Sequence, residues 1–369
     1  MEENKLRSSN LELFRIIAMI LIVAHHYVVN SGLLNCITSD VTSAKSLFLL
    51  IFGWAGKTGI NCFVLITGYF MCTSKITLRK GLKLLLEVEL YKILIFIIFL
   101  ATSYVDFSFK LMLKSILPIT SLKTGFVSCY LVFFCFIPFL NILIHAMNQK
   151  QHITLTSLCL CIFSIFPCLH INITYSYVSW FMVIYLISSY IRLYPPKVFS
   201  NQKLIGILML LCISCSWLSI YIGTYIYQFT GKNLIYFLVA DSNKPLAVLT
   251  AVVSFLFFKN LKIGYSKFIN TIAASAFGVL LIHANSDTMR QWLWKDILDN
   301  VGHYNSNIFL HAILCVLGIY IICTIIDFIR IHTIEKIFFK YFDSFMKRDN
   351  LIKGFTAVQN KYTLIKKLL

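Results

Sequence analysis

Apolar runs of about twenty residues, the length a helix needs to cross a hydrocarbon core, recur from one end of this sequence to the other. They fall at roughly 11–30, 47–71, 84–103, 126–147, 153–169, 176–193, 204–225, 245–258, 271–289 and 306–328, separated by basic clusters and polar breaks. In lipid the backbone must bond within its own segment, so such runs read as helices. They lack the short alternating segments that mark an outer-membrane barrel. With 59% hydrophobic and 13% charged residues, too little polar surface remains to solvate a globular domain. The expectation is an all-α, polytopic integral membrane helical bundle of about ten transmembrane helices.

The formal charge of +18 does not point to nucleic acid, because the basic residues stand in short clusters between apolar runs. That is the pattern of topology signals under the positive-inside rule. With Lys5 and Arg7 in the cytoplasm, the cytoplasmic connections hold Lys75, Arg79, Lys80 and Lys83, then Lys150, then Arg192, Lys197 and Lys203, then Lys259, Lys262 and Lys267. Both termini are then cytoplasmic. Lys110, Lys114, Lys123, Lys232 and Lys244 fall in outer connections and dilute the asymmetry. Residues 1–330 read as one membrane domain and 331–369 as a basic amphipathic cytoplasmic tail. In the tail, Ile334, Ile337, Phe338 and Phe339 alternate with basic residues, as in a helix lying on an anionic leaflet. The first run contains charges and lacks a small-residue cleavage site, so it reads as a retained helix. The twelve Cys read mostly as small buried hydrophobes. Cys212 and Cys215 form a C-x-x-C with no second pair nearby, and no metal is expected.

The first run, NLELFRIIAMILIVAHHYVVN, carries Glu12, Arg15, His25 and His26. Charged groups at membrane depth are expensive and mark a functional site or a pair. Arg15 and His26 share one helix face, about three turns or roughly 16 Å apart, with Glu12 one turn below. His25 is rotated away and is expected to face another helix. Three readings stand open for His26: a general base for an attacking hydroxyl, a proton relay, or a structural hydrogen-bonding group.

Other runs add candidates. Gly53, Gly56, Gly59 and Gly68 allow close helix packing. Arg79, Lys80 and Lys83 fall within about one turn at a helix start, where cations and free N–H groups suit phosphate or a lipid headgroup. Glu89 and Lys92 can pair across a turn, Pro138 should kink its helix, and Tyr130 can aim a hydroxyl into a cavity. His283, Asp287 and Arg290 are spaced to share one face, leading into Trp292 and Trp294 at a membrane interface.

Glu12, Arg15 and His26 match, with spacing intact, a pattern of an acidic residue three before an Arg, then ten residues, then His. Phe63–Phe70 (FVLITGYF), Tyr130–Asn141 (YLVFFCFIPFLN), Trp180–Arg192 (WFMVIYLISSYIR) and Phe277–His283 (FGVLLIH) follow in order. Together they make the chain similar to acyltransferase family 3, integral membrane acyltransferases that modify bacterial surface polysaccharides. Gly125 stands where that pattern has Trp, Ser188 where it has Gly, Leu280 where it has Tyr, and Lys80 and Lys83 where two Arg are common.

The resemblance implies that an acyl group, most often acetyl, passes from cytoplasmic acyl-coenzyme A (acetyl-CoA) to a sugar hydroxyl on the outer side of the bacterial cytoplasmic (inner) membrane. The acceptor is then a lipid-linked or polymeric glycan, such as O-antigen, capsule or exopolysaccharide. Catalysis is expected from His26, as general base or transient acyl carrier, with Arg15 and Glu12. Arg79, Lys80 and Lys83 are expected to hold donor phosphates, and Tyr130, His283, Asp287 and Arg290 to bind the acceptor. A polysaccharide transporter or polymerase is the competing class; the lack of an internal repeat and of a large outer loop counts against it.

Overall fold

A computed structural model describes residues 7–120, 122, 125–171 and 173–348. Lys5, Lys123 and the tail beyond residue 348 lie outside the described residues. Among these, every regular element is helical. In chain order they are α1 (Ser9–Val29), α2 (Leu33–Ser39), α3 (Ala44–Phe52), α4 (Gly56–Met71), α5 (Leu78–Ala101), α6 (Phe109–Ile116), α7 (Phe126–Ala146) and α8 (Gln149–Leu160). There follow α9 (Tyr177–Leu193), α10 (Gln202–Thr230), α11 (Pro245–Asn260), α12 (Lys267–Ala274), α13 (Ala276–His283), α14 (Asp287–Gln291), α15 (Ile308–Arg330) and α16 (Lys336–Arg348). Short π-helical turns extend α8 and α14 and join α15 to α16.

Helical residues fill the ten apolar runs, but the run at 47–71 is divided between α3 and α4 and that at 271–289 among α12, α13 and α14. Six helical stretches among the described residues are long and apolar enough to cross a membrane, or seven if the pair bent by 91° between α13 and α14 is one span. Helices α9 and α11 are apolar but shorter. Helix α5 carries Arg79, Lys80, Lys83, Glu87, Glu89 and Lys92. Helix α7 continues through Pro138 to Ala146. The outward faces are apolar: Phe139 and Ile142 of α7, Leu210 and Leu211 of α10, and Leu314 and Ile322 of α15 are exposed. So much exposed apolar side chain suits lipid and not water.

At the centre, α4 packs against α1, α9 and α11. Its glycines let it approach so closely. A methyl on Gly59 would stand 2.9 Å from the Ala18 carbonyl oxygen and 2.9 Å from Ile22, and one on Gly56 would collide with the His25 side chain. On the opposite side a methyl on Gly68 would strike Ser188 Oγ. That explains how Ser188 is tolerated where the resembled pattern has glycine: its hydroxyl donates to the Tyr185 carbonyl at 3.1 Å and rests in the space Gly68 leaves. Gly59→Ala is expected to destabilise the bundle by about 1–3 kcal/mol through overpacking. Gly81→Ala on α5, where nothing lies within 4 Å, should be neutral or slightly stabilising. Thermal unfolding of the two variants in detergent measures the contrast.

Polar ties fix the direction of each helix. Asn10 Nδ2 donates to the carbonyls of Phe258 and Lys259 at 3.0 and 2.9 Å. Ser9 Oγ donates to Asn270 Oδ1 at 3.1 Å and accepts from Ser266 N at 2.8 Å. The start of α1 therefore sits with the end of α11 and the start of α12. Arg192 donates to the Tyr69 hydroxyl at 2.8 Å, and Asn141 Nδ2 to the Met71 carbonyl at 3.1 Å, so α4, α7 and α9 end together. At the far end, Asn61 Nδ2 donates to the Ser242 carbonyl at 2.6 Å and accepts Trp180 Nε1–H at 2.9 Å on Oδ1.

The contacts divide the chain between Thr324 and Ile325. In the second unit α15 ends, a π-helical turn follows, and α16 begins. Arg330 Nε donates to Asp327 Oδ1 at 2.6 Å and its NH1 to Glu335 Oε2 at 2.8 Å. On α16, Ile337, Tyr341 and Phe345 are exposed.

Candidate active site

Helix α1 stays helical without a break from Ser9 to Val29, so Arg15 and His26 hold the separation of roughly 16 Å that one helix dictates. The structure surrounds them with two different clusters.

At the Arg15 end, Glu12 is buried, and its Oε2 has no hydrogen-bond partner among the described residues. Arg15 NH1 lies 3.6 Å away. A buried carboxylate left unpaired is costly, so Arg15 is the group that keeps Glu12 in the bundle. The guanidinium lies 5.7 Å from the Phe63 ring centroid and makes no hydrogen bond to a described residue. Nearby, Thr67 Oγ1 donates to the Phe63 carbonyl at 3.1 Å, so the Tyr130 hydroxyl, also at 3.1 Å, is the donor to Thr67. Tyr130 stacks on Phe126 at 5.8 Å and lies 6.2 Å from Phe63. Tyr130 thus stands at the level of Arg15, with its hydroxyl proton committed to Thr67. Arg79, Lys80 and Lys83 are exposed on the first turns of α5, where Thr77 accepts from Lys80 N at 3.3 Å and Lys80 Nζ donates to the Lys75 carbonyl at 2.9 Å. No hydrogen bond or ion pair among the described residues joins these cations to Arg15 or Glu12. They share its end of the bundle because α4, which precedes them, runs antiparallel to α1.

At the other end, His25 and His26 part company. His25 Nδ1 donates to the Gly53 carbonyl at 2.8 Å, filling the break between α3 and α4, and is structural. His26 turns to α13, where its Nδ1 lies 2.9 Å from His283 Nε2. His283 is fully buried, with Nδ1 2.6 Å from the Val279 carbonyl. A carbonyl only accepts, so His283 Nδ1 carries the proton. In the neutral pair, His283 Nε2 accepts from His26 Nδ1–H. That assignment leaves the lone pair on His26 Nε2, which bonds to no described residue, on a side chain that is only partly buried. A carbonyl–imidazole–imidazole chain thus fixes ring orientation and tautomer together.

The expected single face of His283, Asp287 and Arg290 is not what forms. The helix ends at His283, Ser286 accepts from Met289 N at 3.1 Å to cap α14, and the axis bends by 91°. His283 points inward to His26, while Asp287 is exposed and pairs with Arg290 at 2.9 Å. Arg290 nevertheless stays close enough to act electrostatically on both imidazoles. Trp294, expected at an interface, is fully buried, its ring set edge-on to His283 at 6.3 Å and to Tyr27 at 6.0 Å. Tyr27 in turn bonds His311 Nδ1 at 2.7 Å. Among the described residues no group of three or more His, Cys, Asp or Glu is placed to hold a metal ion.

The sequence singles out both His26 and His283 without showing that they meet or that a bend brings them together. The available signal for that bend is the polar break ANSD directly after His283, with Ser as a helix N-cap. A family model described as an acyltransferase domain matches residues 8–328. No curated protein and no solved structure matches the chain.

Proposed function

Since the chain belongs to this acyltransferase domain family, matched from residue 8 to 328, and is a multi-pass membrane acyltransferase, we propose that it transfers an acyl group, most often acetyl, from cytoplasmic acyl-coenzyme A to a sugar hydroxyl of a bacterial surface polysaccharide. The reading takes ten crossings of the cytoplasmic membrane with both termini inside. Its support is the alternation of helix directions and the gathering of Arg7, Arg79, Lys80, Lys83, Arg192 and Lys259 at the end where α1 begins.

The observation that carries the chemistry is the His26–His283 pair. His26 Nε2 takes the proton of the acceptor hydroxyl as that oxygen attacks the acyl carbon. As the thioester C–S bond breaks, His26 passes the proton to the departing sulfur, so atoms and charge balance. General-base help of this kind contributes about 10²–10⁴ in rate. The residues at the other end suit a long anionic donor. Arg15 offers N–H groups not bonded to any described residue, and Arg79, Lys80 and Lys83 offer exposed positive charge for phosphates, the lysines as point charges. Arg290, beside the imidazoles, serves the acceptor side.

His283 orients His26 without touching substrate. His283→Ala is expected to lower kcat about 10- to 100-fold with little change in either KM, the loss of a correctly oriented base. His283→Gln, whose Oε1 can accept the same N–H, should recover part of it. The reading as a whole is tested by mass spectrometry of surface glycan from cells with and without the gene. Loss of one acetyl unit per acylated residue is expected. An unchanged glycan, or purified protein that moves glycan across vesicles with no acyl donor, would overturn it.

A further inference from the structure

Beside the imidazoles stands a polar cluster that the proposed chemistry leaves unused. Lys57 follows Gly56, the residue pressed against His25, and its ammonium is near enough to act electrostatically on both His25 and His26. Lys57 Nζ donates to the Tyr177 hydroxyl at 2.6 Å, and that hydroxyl donates to Asp241 Oδ1 at 3.1 Å. Lys57 and Asp241 are 3.9 Å apart, with side chains 28% and 38% exposed. Ser242 N also donates to Asp241 Oδ1, at 2.8 Å, and the Tyr175 hydroxyl meets Ser242 Oγ at 2.9 Å. The rings of Tyr175 and Tyr177 meet edge to face at 5.9 Å.

No helical register enforces this ion pair, which joins α4 to the loop before α11 across more than 180 residues of chain. Its framework is rigid. Ser242 is held through its carbonyl by Asn61, which also receives Trp180. All the bonds to the carboxylate fall on Asp241 Oδ1, and Oδ2 bonds to no described residue. Lys57 has further N–H groups beyond the one given to Tyr177. Burial, then the neighbouring Asp241 charge, hold the Tyr175 phenol above its usual range, so it stays a neutral hydroxyl. The cluster therefore presents a carboxylate oxygen, ammonium protons and aromatic surface, with no net charge. Neighbouring hydroxyls on a sugar ring match that set: they donate to a carboxylate, accept from an ammonium, and offer C–H faces to tyrosine rings. A phosphate would be repelled by Asp241.

We infer that Lys57, Asp241 and the Tyr175–Tyr177 pair form the acceptor subsite, holding a hydroxyl-rich glycosyl unit so that one of its hydroxyls reaches His26 Nε2. This rests on the acyltransferase reading and adds the residues that select the acceptor. It also divides the labour along α1, with the acyl donor served near Arg15 and the sugar served near His25.

The test is steady-state kinetics of purified protein in lipid nanodiscs, which avoids sugar-headed detergents. Acetyl-CoA is the donor, and the acceptor is surface glycan from the producing cells, stripped of esters by mild alkali. Lys57→Met and Asp241→Asn are each expected to raise the KM for glycan about tenfold or more, while the KM for acetyl-CoA stays within about twofold, as loss of a binding contact requires. Lys57→Arg, which keeps the charge, should recover most of the affinity. Asp241→Asn keeps an acceptor oxygen for Tyr177 and Ser242, so it remains informative if Lys57→Met folds poorly. Wild-type KM for glycan in both variants, or a fall in kcat alone, would overturn the subsite while leaving the acyltransferase reading intact. Wild-type protein that transfers no acetyl group to the glycan would overturn that reading itself, and the subsite with it.

Discussion

His26→Ala abolishes glycan acylation while the protein still inserts: the expected fall is about 10²–10⁴ in rate. The imidazole is partly exposed and bonded only through Nδ1 to His283, so its removal strips the site of its base without opening the core around Met19, Val23 and Tyr27. The structural cost is one acceptor, His283 Nε2, left without its donor, about 1–3 kcal/mol. That is too little to unfold a bundle of this size and too little to imitate the catalytic loss. Ester content of the surface glycan, measured beside the amount of protein in the membrane fraction, separates the two effects. Wild-type ester levels from a well-inserted variant would remove His26 from the mechanism.

Arg15→Ala is expected to fail in two ways at once, and a second substitution tells them apart. Glu12 is buried with Arg15 as its cation. Taking the arginine away strands a carboxylate, at a cost of about 3 kcal/mol, so expression and melting temperature should drop together with activity. Adding Glu12→Gln removes the stranded charge. The pair Glu12→Gln with Arg15→Met should recover thermal stability, measured by unfolding in detergent, yet remain inactive with acetyl-CoA, because the guanidinium donors are still missing. Recovery of activity along with stability would reduce Arg15 to a counter-ion for Glu12.

What could be read from the residues and what could not divides along a physical line. Charges inside an apolar run announce themselves by their cost, and Glu12, Arg15 and His26 were legible for that reason. So were the glycines of α4, since a run of bare positions at helical spacing admits few uses beyond close packing. The face proposed for His283, Asp287 and Arg290 assumed a continuous helix, and one serine cap at Ser286 was enough to undo it. The His26–His283 contact joins positions 257 residues apart, a distance over which periodicity carries no information. Lys57 and Asp241 escaped notice because each looks ordinary alone: a lysine among glycines, an aspartate in a loop. Trp294 was misplaced because amphipathic tryptophan near a span end suggests an interface, whereas here it closes over His283 and Tyr27.

The unbroken course of α1 from Ser9 to Val29 also bears on how such a protein can diverge. Side chains between Arg15 and His26 are free to drift so long as they pack. The number of residues between them is not, because one insertion or deletion turns one group against the other by about 100°. Either His26 would then leave His283, or Arg15 would leave its place over Phe63 and take Glu12 with it. Variation in this segment is thus confined to substitution, and changes of length must collect in the connections outside it.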